Sequence, residues 1–281
     1  MRRTPSMRGA SWIRPCAVAV LAVAVGAVAR PVARQPSRGA VSAESVVRDA
    51  QERDTGRDSR AEMRMRLFDR QGRVRERVLT LWTKRGSGAV GDRTLLRFSS
   101  PADIRNTGLL VWESPGREDE RFLFLPALGR VRRIAGAEKQ ESFVGSDLSY
   151  EDIGGRQIAD YTYAFADERA AWTAPDGSRR EAWVVESRSK DARALLPLSR
   201  STILKDSLVM VHAESFDRHG TRVKVFDVRR LEKMDGVWTV LALSVTDERA
   251  RTRTELETTA IRYNVGLTDD DVSRRRLEQV P

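Results

Sequence analysis

The chain has 281 residues, 40% of them hydrophobic and 32% charged, with 19 glycines and 10 prolines. It is too apolar for a disordered chain, has no collagen or coiled-coil period, and is long enough for one large β domain or two ordinary ones. The net charge of +10 gathers at the start: residues 1–43 carry seven arginines and no acidic residue, leaving 43 basic against 40 acidic side chains in the rest. Those remaining charges alternate in sign and form no stripe that could track phosphates, which argues against a nucleic-acid partner.

Arg2, Arg3, Arg8 and Arg14 precede an uncharged run from Pro15 to Ala29. Positive residues before a short apolar stretch are the pattern of a secretory leader, and the run falls short of the about 20 apolar residues that a membrane-crossing helix needs. Residues 1–29 are therefore expected to be a signal peptide. Ala27-Val28-Ala29 and Val41-Ser42-Ala43 both offer small-x-small cleavage sites, so cleavage falls as early as residue 29 or as late as 43. Cys16 is the only cysteine and follows Ile13-Arg14-Pro15, which is not a lipid-attachment context. The body of the protein has no thiol chemistry and no disulfide, in keeping with a periplasmic location.

Residues 30–43 read as an unstructured tail, and residues 44–281 as one domain with neither a long linker nor a fixed-period repeat. Glu44 to Arg53 places Val46, Val47 and Ala50 on one helical face and predicts an opening helix. From Ala61 the period becomes two. Met63, Met65 and Leu67 alternate with charged residues, then Asp69-Arg70-Gln71-Gly72 turns the chain into Val74 to Lys84, a hairpin. Strand-like runs follow at Thr94–Phe98, Leu109–Glu113, Arg121–Leu125, Arg130–Ala135, Tyr161–Ala166, Glu181–Ser187 and Ser199–Leu204. The last are Val209–Phe216, Thr221–Val228, Val237–Val245 and Thr252–Tyr263.

Asp176-Gly177, His219-Gly220 and Asp235-Gly236 are tight-turn signals, so successive strands should pair antiparallel. Two helices are expected to interrupt the meander, at Asp147–Ile153 and at Thr268–Leu277. The second carries a Thr268-x-x-Asp271 capping spacing. The expected fold is mainly β (α+β), an antiparallel sheet of about eleven strands that twists and curls into a barrel-like surface. Arg121–Leu125 carries Phe122 and Phe124 on one side and Leu123 and Leu125 on the other, so it needs cover on both faces.

Catalytic motifs do not withstand their context. Gly86 to Gly91 satisfies GxGxxG, but a strand follows where a dinucleotide site needs a helix. Ser187-x-x-Lys190 lacks the companion elements of a penicillin-binding site. His212 and Glu214 share a strand face near Asp217 and His219, for which an exposed sheet edge is the simpler reading than a metal site. Ser146, Asp147, Glu151 and Asp152 suit helix caps better than an acid–base pair, with Ser146 or Asp147 as cap and Ser149-x-x-Asp152 as a second capping pattern. No enzyme, metal or cofactor is expected. What remains is an apolar set that either fills a core or lines a cavity: Met63, Met65, Leu67, Leu79, Leu81, Trp82, Phe98, Trp112, Phe122, Phe124, Phe143, Trp183 and Trp238. The methionines favour an adaptable lining.

Four stretches carry a family likeness: Phe98–Gly108 (FSSPADIRNTG), Arg121–Ile134 (RFLFLPALGRVRRI), Ser142–Ile153 (SFVGSDLSYEDI) and Tyr263–Asp270 (YNVGLTDD). In this order the chain resembles the outer membrane lipoprotein-sorting proteins of the LolA/LolB-like superfamily, in the branch with FxGSDxSYED after RRI. The resemblance implies a curved antiparallel sheet forming an incomplete barrel, closed by a few helices, whose apolar cavity holds acyl chains of a lipoprotein or lipid in the periplasm. It implies carriage towards the outer membrane and no catalysis. The implied partners are an inner-membrane transporter of the RND type or an outer-membrane acceptor. On this reading the apolar set, without Leu79, lines the cavity, and Phe143, Gly145, Ser146, Asp147, Tyr150, Glu151 and Asp152 belong to a lid. The same fold also serves in regulators that bind partner proteins, so a periplasmic sensor or interaction module is the alternative.

Overall fold

A computed structural model describes residues 41–87 and 90–279. The expected leader and most of the tail lie outside the described residues, as do residues 88 and 89 of the glycine-rich stretch.

Every strand-like run joins one antiparallel sheet, which therefore has thirteen strands instead of about eleven. In chain order these are β1 (Asp58–Phe68), β2 (Val74–Lys84), β3 (Arg93–Ser100), β4 (Gly108–Trp112), β5 (Glu120–Leu125) and β6 (Arg130–Ile134). After a crossing segment come β7 (Tyr161–Thr173), β8 (Arg179–Ser189), β9 (Leu198–Leu204), β10 (Met210–Phe216), β11 (Arg222–Met234), β12 (Val237–Asp247) and β13 (Thr252–Tyr263). The order across the sheet is β6-β5-β4-β3-β2-β1-β13-β12-β11-β10-β9-β8-β7. Two meanders thus meet at a β1–β13 seam, where Met65 faces Leu256.

Turn chemistry sets these pairings. Asp69 Oδ1 accepts from the amides of Gln71 and Arg73, closing the β1–β2 turn. Asp235 and Gly236 both have positive φ, 49° and 86°. That is the requirement of a two-residue turn whose twist matches its flanking strands, β11 and β12. β10 lies between β9 and β11, so His212 and Glu214 sit in the sheet interior and not on the expected edge.

The free edges are β6 and β7, so the sheet is not closed. These strands are consecutive in the chain yet lie at opposite edges, and the segment between them must pass over a face. Strand twist accumulated across so wide a sheet makes that face concave. The segment contains short 3-10 turns and the helix α2 (Tyr150–Gly154). It packs Phe143, Val144, Leu148, Tyr150 and Ile153 on residues from β1–β6 and β13.

The helix α1 (Ala43–Glu52) covers the other half of the same face, with Ala43 and Val46 buried against Val185 and Ile203. It begins with a reciprocal capping box: Ser42 Oγ accepts from the Ser45 amide at 3.0 Å, and Ser45 Oγ accepts from the Ser42 amide at 3.1 Å. Ser42, within the stretch read as a tail, is thus the cap of this helix. The opposite face of β3–β5 is covered by the C-terminal segment. Leu95, Leu110, Phe122 and Phe124 pack there with Val272 and with Leu277 of the helix α3 (Arg274–Glu278).

Two helix expectations need correction. The Asp147–Ile153 helix begins only at Tyr150, and its cap is Ser149, which accepts from the Asp152 amide while Asp152 accepts from that of Ser149. The Thr268–Leu277 helix is a 3-10 turn at Asp270–Val272 followed by α3, whose cap is Ser273. The Thr268–Asp271 bond does form, at 2.8 Å, but it closes a single turn. Among the described residues no helix is long and apolar enough to cross a membrane.

Candidate functional site

The apolar residues read as a cavity lining are placed in packed clusters. Met65, Leu67, Phe98 and Phe143 are buried together, with Met63 and Leu81 against them. The Phe98 and Phe143 rings stack at 5.7 Å. Phe122 and Phe124 lie on the opposite face of β5 with Trp82 and Trp112, under α3. Trp183 packs with α1, and Trp238 packs in a third cluster beneath the Arg180 guanidinium, 4.4 Å from its ring. None of these twelve residues lines either of the two main cavities. The physical reason is size: long side chains facing a covering segment fill the gap themselves, at the density of any protein core.

The larger apolar space lies in the other half of the concave face. A cavity of about 410 Å³ is bounded above by Val47, Ala50 and Gln51 of α1, by Arg53 just after it, and by the segment from Leu148 to Arg156. Its floor is built from alternate residues of the strands: Tyr161 and Tyr163 on β7, Ser187 on β8, and Ser199, Ser201 and Ile203 on β9. The row continues with Ala213 and Ser215 on β10, Phe226 on β11, and Val240 and Val245 on β12. Five of the positions on β8–β10 are Ser or Ala. Small side chains on three neighbouring strands leave unfilled the space that Leu and Phe occupy on β1–β5. That row, at period two, is the signal a search for large apolar residues passes over.

A second cavity of about 480 Å³ adjoins the first, sharing Leu148, Glu151, Asp152, Arg156, Tyr161 and Lys224. Its walls are mixed, with Asp147, Asp247, Arg249 and Thr252 beside Ala194, Leu195, Leu196 and Val223. Gly145, Ser146, Asp147, Glu151 and Asp152 of the motif stretch line it, whereas Phe143 and Tyr150 point into the packed cluster.

The roof is tied to the sheet by polar bonds along its length. The Asp147 carboxylate accepts from the hydroxyls of Thr252 and Thr254 on β13, the latter at 2.7 Å. Lys224 Nζ on β11 donates to Asp152 at 2.9 Å. Burial pushes the Asp152 carboxyl up, but the Lys224 and Arg156 charges outweigh it and hold the group below its ordinary value. Arg156 also donates to Ser199 Oγ on β9 at 3.2 Å, and Gln51 of α1 donates to the Arg156 carbonyl at 3.0 Å.

Arg121 on β5 provides a buried tie that sequence reasoning did not locate. Its guanidinium pairs with Asp119 at 3.3 Å and donates to the carbonyls of Tyr150 and Gly155 at 3.3 and 3.2 Å. Asp119 in turn accepts from Gln157 at 2.6 Å. A Cβ at Gly154 would lie 2.7 Å from this guanidinium, so glycine there permits the close approach.

An unclosed, curved antiparallel sheet with a few helices across its concave face is a LolA-like fold. A family model described as "Uncharacterized protein" matches residues 91–279. The chain belongs to this DUF1329-like family. A DUF1329 family protein from Desulfovibrio piger is 29% identical, with a TM-score of 0.74 over 84% of this chain and 97% of that one. A putative outer membrane lipoprotein-sorting protein domain from Vibrio parahaemolyticus is 25% identical, with a TM-score of 0.75 over 84% and 98%. A LolA superfamily protein from Nitrosomonas europaea shares the fold at 15% identity, with a TM-score of 0.61 over 84% and 100%. No curated protein sequence matches the chain.

Proposed function

We propose that this protein is a periplasmic carrier that shelters an acyl chain of a lipid or lipoprotein in the cavity between β7–β12 and the roof formed by α1 and α2. The observation that carries the reading is the row of small residues on β8–β10, which leaves about 410 Å³ open beneath the roof. Partly open apolar space of this size is within the range of ligand sites. The lipoprotein-sorting description of the Vibrio relative adds weight to it.

Burying a methylene gains about 0.8 kcal/mol, so a chain of about 16 carbons is worth on the order of 12 kcal/mol before costs. Release demands an opposing term, and re-docking of the roof on the sheet supplies one. The function is carriage and not catalysis, with an RND-type transporter or an outer-membrane acceptor at the two ends of the route.

Residues 1–29 act as the signal peptide on this reading, and residues 44–281 as one carrier domain. Cleavage after residue 43 would remove Ser42, the cap of α1, at a cost of about 1 kcal/mol, so the earlier site fits better. A photo-crosslinking residue at Ser201 is expected to capture acyl lipid in the native host, and one at Phe98 is not. Failure to capture lipid at Ser201 in protein that folds normally would overturn the proposal.

A further inference from the structure

The two adjoining cavities differ in chemistry in a way that defines an amphiphile. The first is floored mainly by small and apolar side chains with Tyr161 and Tyr163 at one end, and the second sets Asp147, Asp247 and Arg249 beside Leu195, Leu196 and Val223. Resting on the carrier reading, we infer that the closed protein takes a single-chain amphiphile with a zwitterionic phosphate–ammonium headgroup, its one acyl chain in the first cavity and its headgroup in the second.

The chain number follows from volume. An apolar cavity of about 150 Å³ accepts benzene, six carbons, so at equal packing the first cavity's 410 Å³ accepts about sixteen carbons. That is one long acyl chain. A second chain would have to enter the second cavity, where Leu195, Leu196 and Val223 offer partial cover but Asp147, Asp247 and Arg249 would lose water without replacing their hydrogen bonds.

The headgroup follows from charge. The second cavity holds Arg156, Lys224 and Arg249 against Asp147, Glu151, Asp152 and Asp247. A nearly balanced wall gives a purely anionic or purely cationic group little net attraction but offers both partners to a zwitterion. Lys224 sits where the two cavities meet, 2.9 Å from Asp152. A phosphate there would take Lys224 from Asp152 and so weaken a bond that holds the roof down. Glu151, which makes no ion pair among the described residues, is free to face the ammonium.

The test is native mass spectrometry with competition binding on delipidated protein. The probes are a 16-carbon lysophosphatidylethanolamine, palmitate, a diacyl phosphatidylethanolamine and a triacylated lipopeptide. The expected result is one lysolipid per protein, bound at least tenfold more tightly than any of the other three. Lys224→Met is expected to erase most of the preference over palmitate. Equal or tighter binding of the diacyl or triacyl probe would overturn the single-chain inference while leaving the carrier reading standing. Equal binding of palmitate would overturn the headgroup assignment. Binding of no probe would overturn the carrier reading itself.

Discussion

Arg77, Arg97 and Arg121 are buried, and each spends its guanidinium on main-chain carbonyls of a segment that covers the sheet. Arg77 donates to the Val144 carbonyl at 2.6 Å. Arg97 donates to those of Arg276, Leu277 and Gln279, satisfying the free carbonyls at the end of α3. Arg121 grips both ends of α2. A planar fork of donors suits this job better than a lysine's point charge. Because Asp119 and Arg121 each expose only 3% of their side chains, removing one partner strands a buried charge. Arg121→Met is therefore expected to lose about 3–5 kcal/mol in urea unfolding. A loss below 1 kcal/mol would show that this tie carries little.

The same scale holds a titratable pair. His212 Nδ1 lies 2.8 Å from Asp227 across β10 and β11. The hydrogen bond to Asp227, aided by its charge, outweighs burial and raises the imidazole above its ordinary value. Since the folded value is the higher one, the stabilisation is complete below the unfolded histidine value of about 6.5 and fades as pH rises through the folded value. An NMR titration should place the His212 midpoint above the ordinary histidine value, and Asp227→Asn should lower it. An unshifted midpoint in that variant would contradict the pairing.

At the scale of elements, the strands were legible and the covers less so. Period-two alternation and Asp-Gly turns located all thirteen strands, since a half-buried antiparallel strand must alternate. They stopped short of the C-terminal ends of β7 and β11, which run on to Thr173 and Met234. The two-faced apolar pattern of Arg121–Leu125 correctly required cover on both sides, which the crossing segment and α3 supply. The short covers read as longer helices because caps such as Ser149 and Ser273 sit inside the stretches that look helical. Which strands those covers spanned depends on the β1–β13 pairing, a long-range contact that no local pattern encodes. Leu277 is fully buried, and Trp112 donates its indole N–H to the Val272 carbonyl at 3.0 Å. Leu277→Ala should therefore destabilise the protein by about 2–5 kcal/mol and shift Trp fluorescence. A melting temperature unchanged from the parent would mean that α3 is not part of the cooperative unit.

For the whole molecule, the sheet divides into a filled half and a hollow half. On β1–β6 the concave face meets the crossing segment through packed Leu, Phe and Met side chains. On β8–β10 most of the facing residues shrink to Ser and Ala, while α1 and the Lys224–Asp152 tie hold the roof above them. The sequence points to its large apolar residues as a cavity lining, whereas those residues lie in packed clusters and the cavity beneath the roof is floored on β8–β10 mostly by small ones. Large side chains mark where a curved sheet is solid, and small ones opposite a cover mark where it is empty.

Lipid content is the direct measure of that hollow, compared between the parent protein and Ala213→Leu, which adds a branched side chain to open space on the floor. Native mass spectrometry of both, purified from the native host, is expected to show an acyl-lipid adduct on the parent and a loss of most of it in the variant at unchanged melting temperature. A parent protein without any adduct, or a variant that keeps full occupancy, would contradict the assignment of cargo to this cavity.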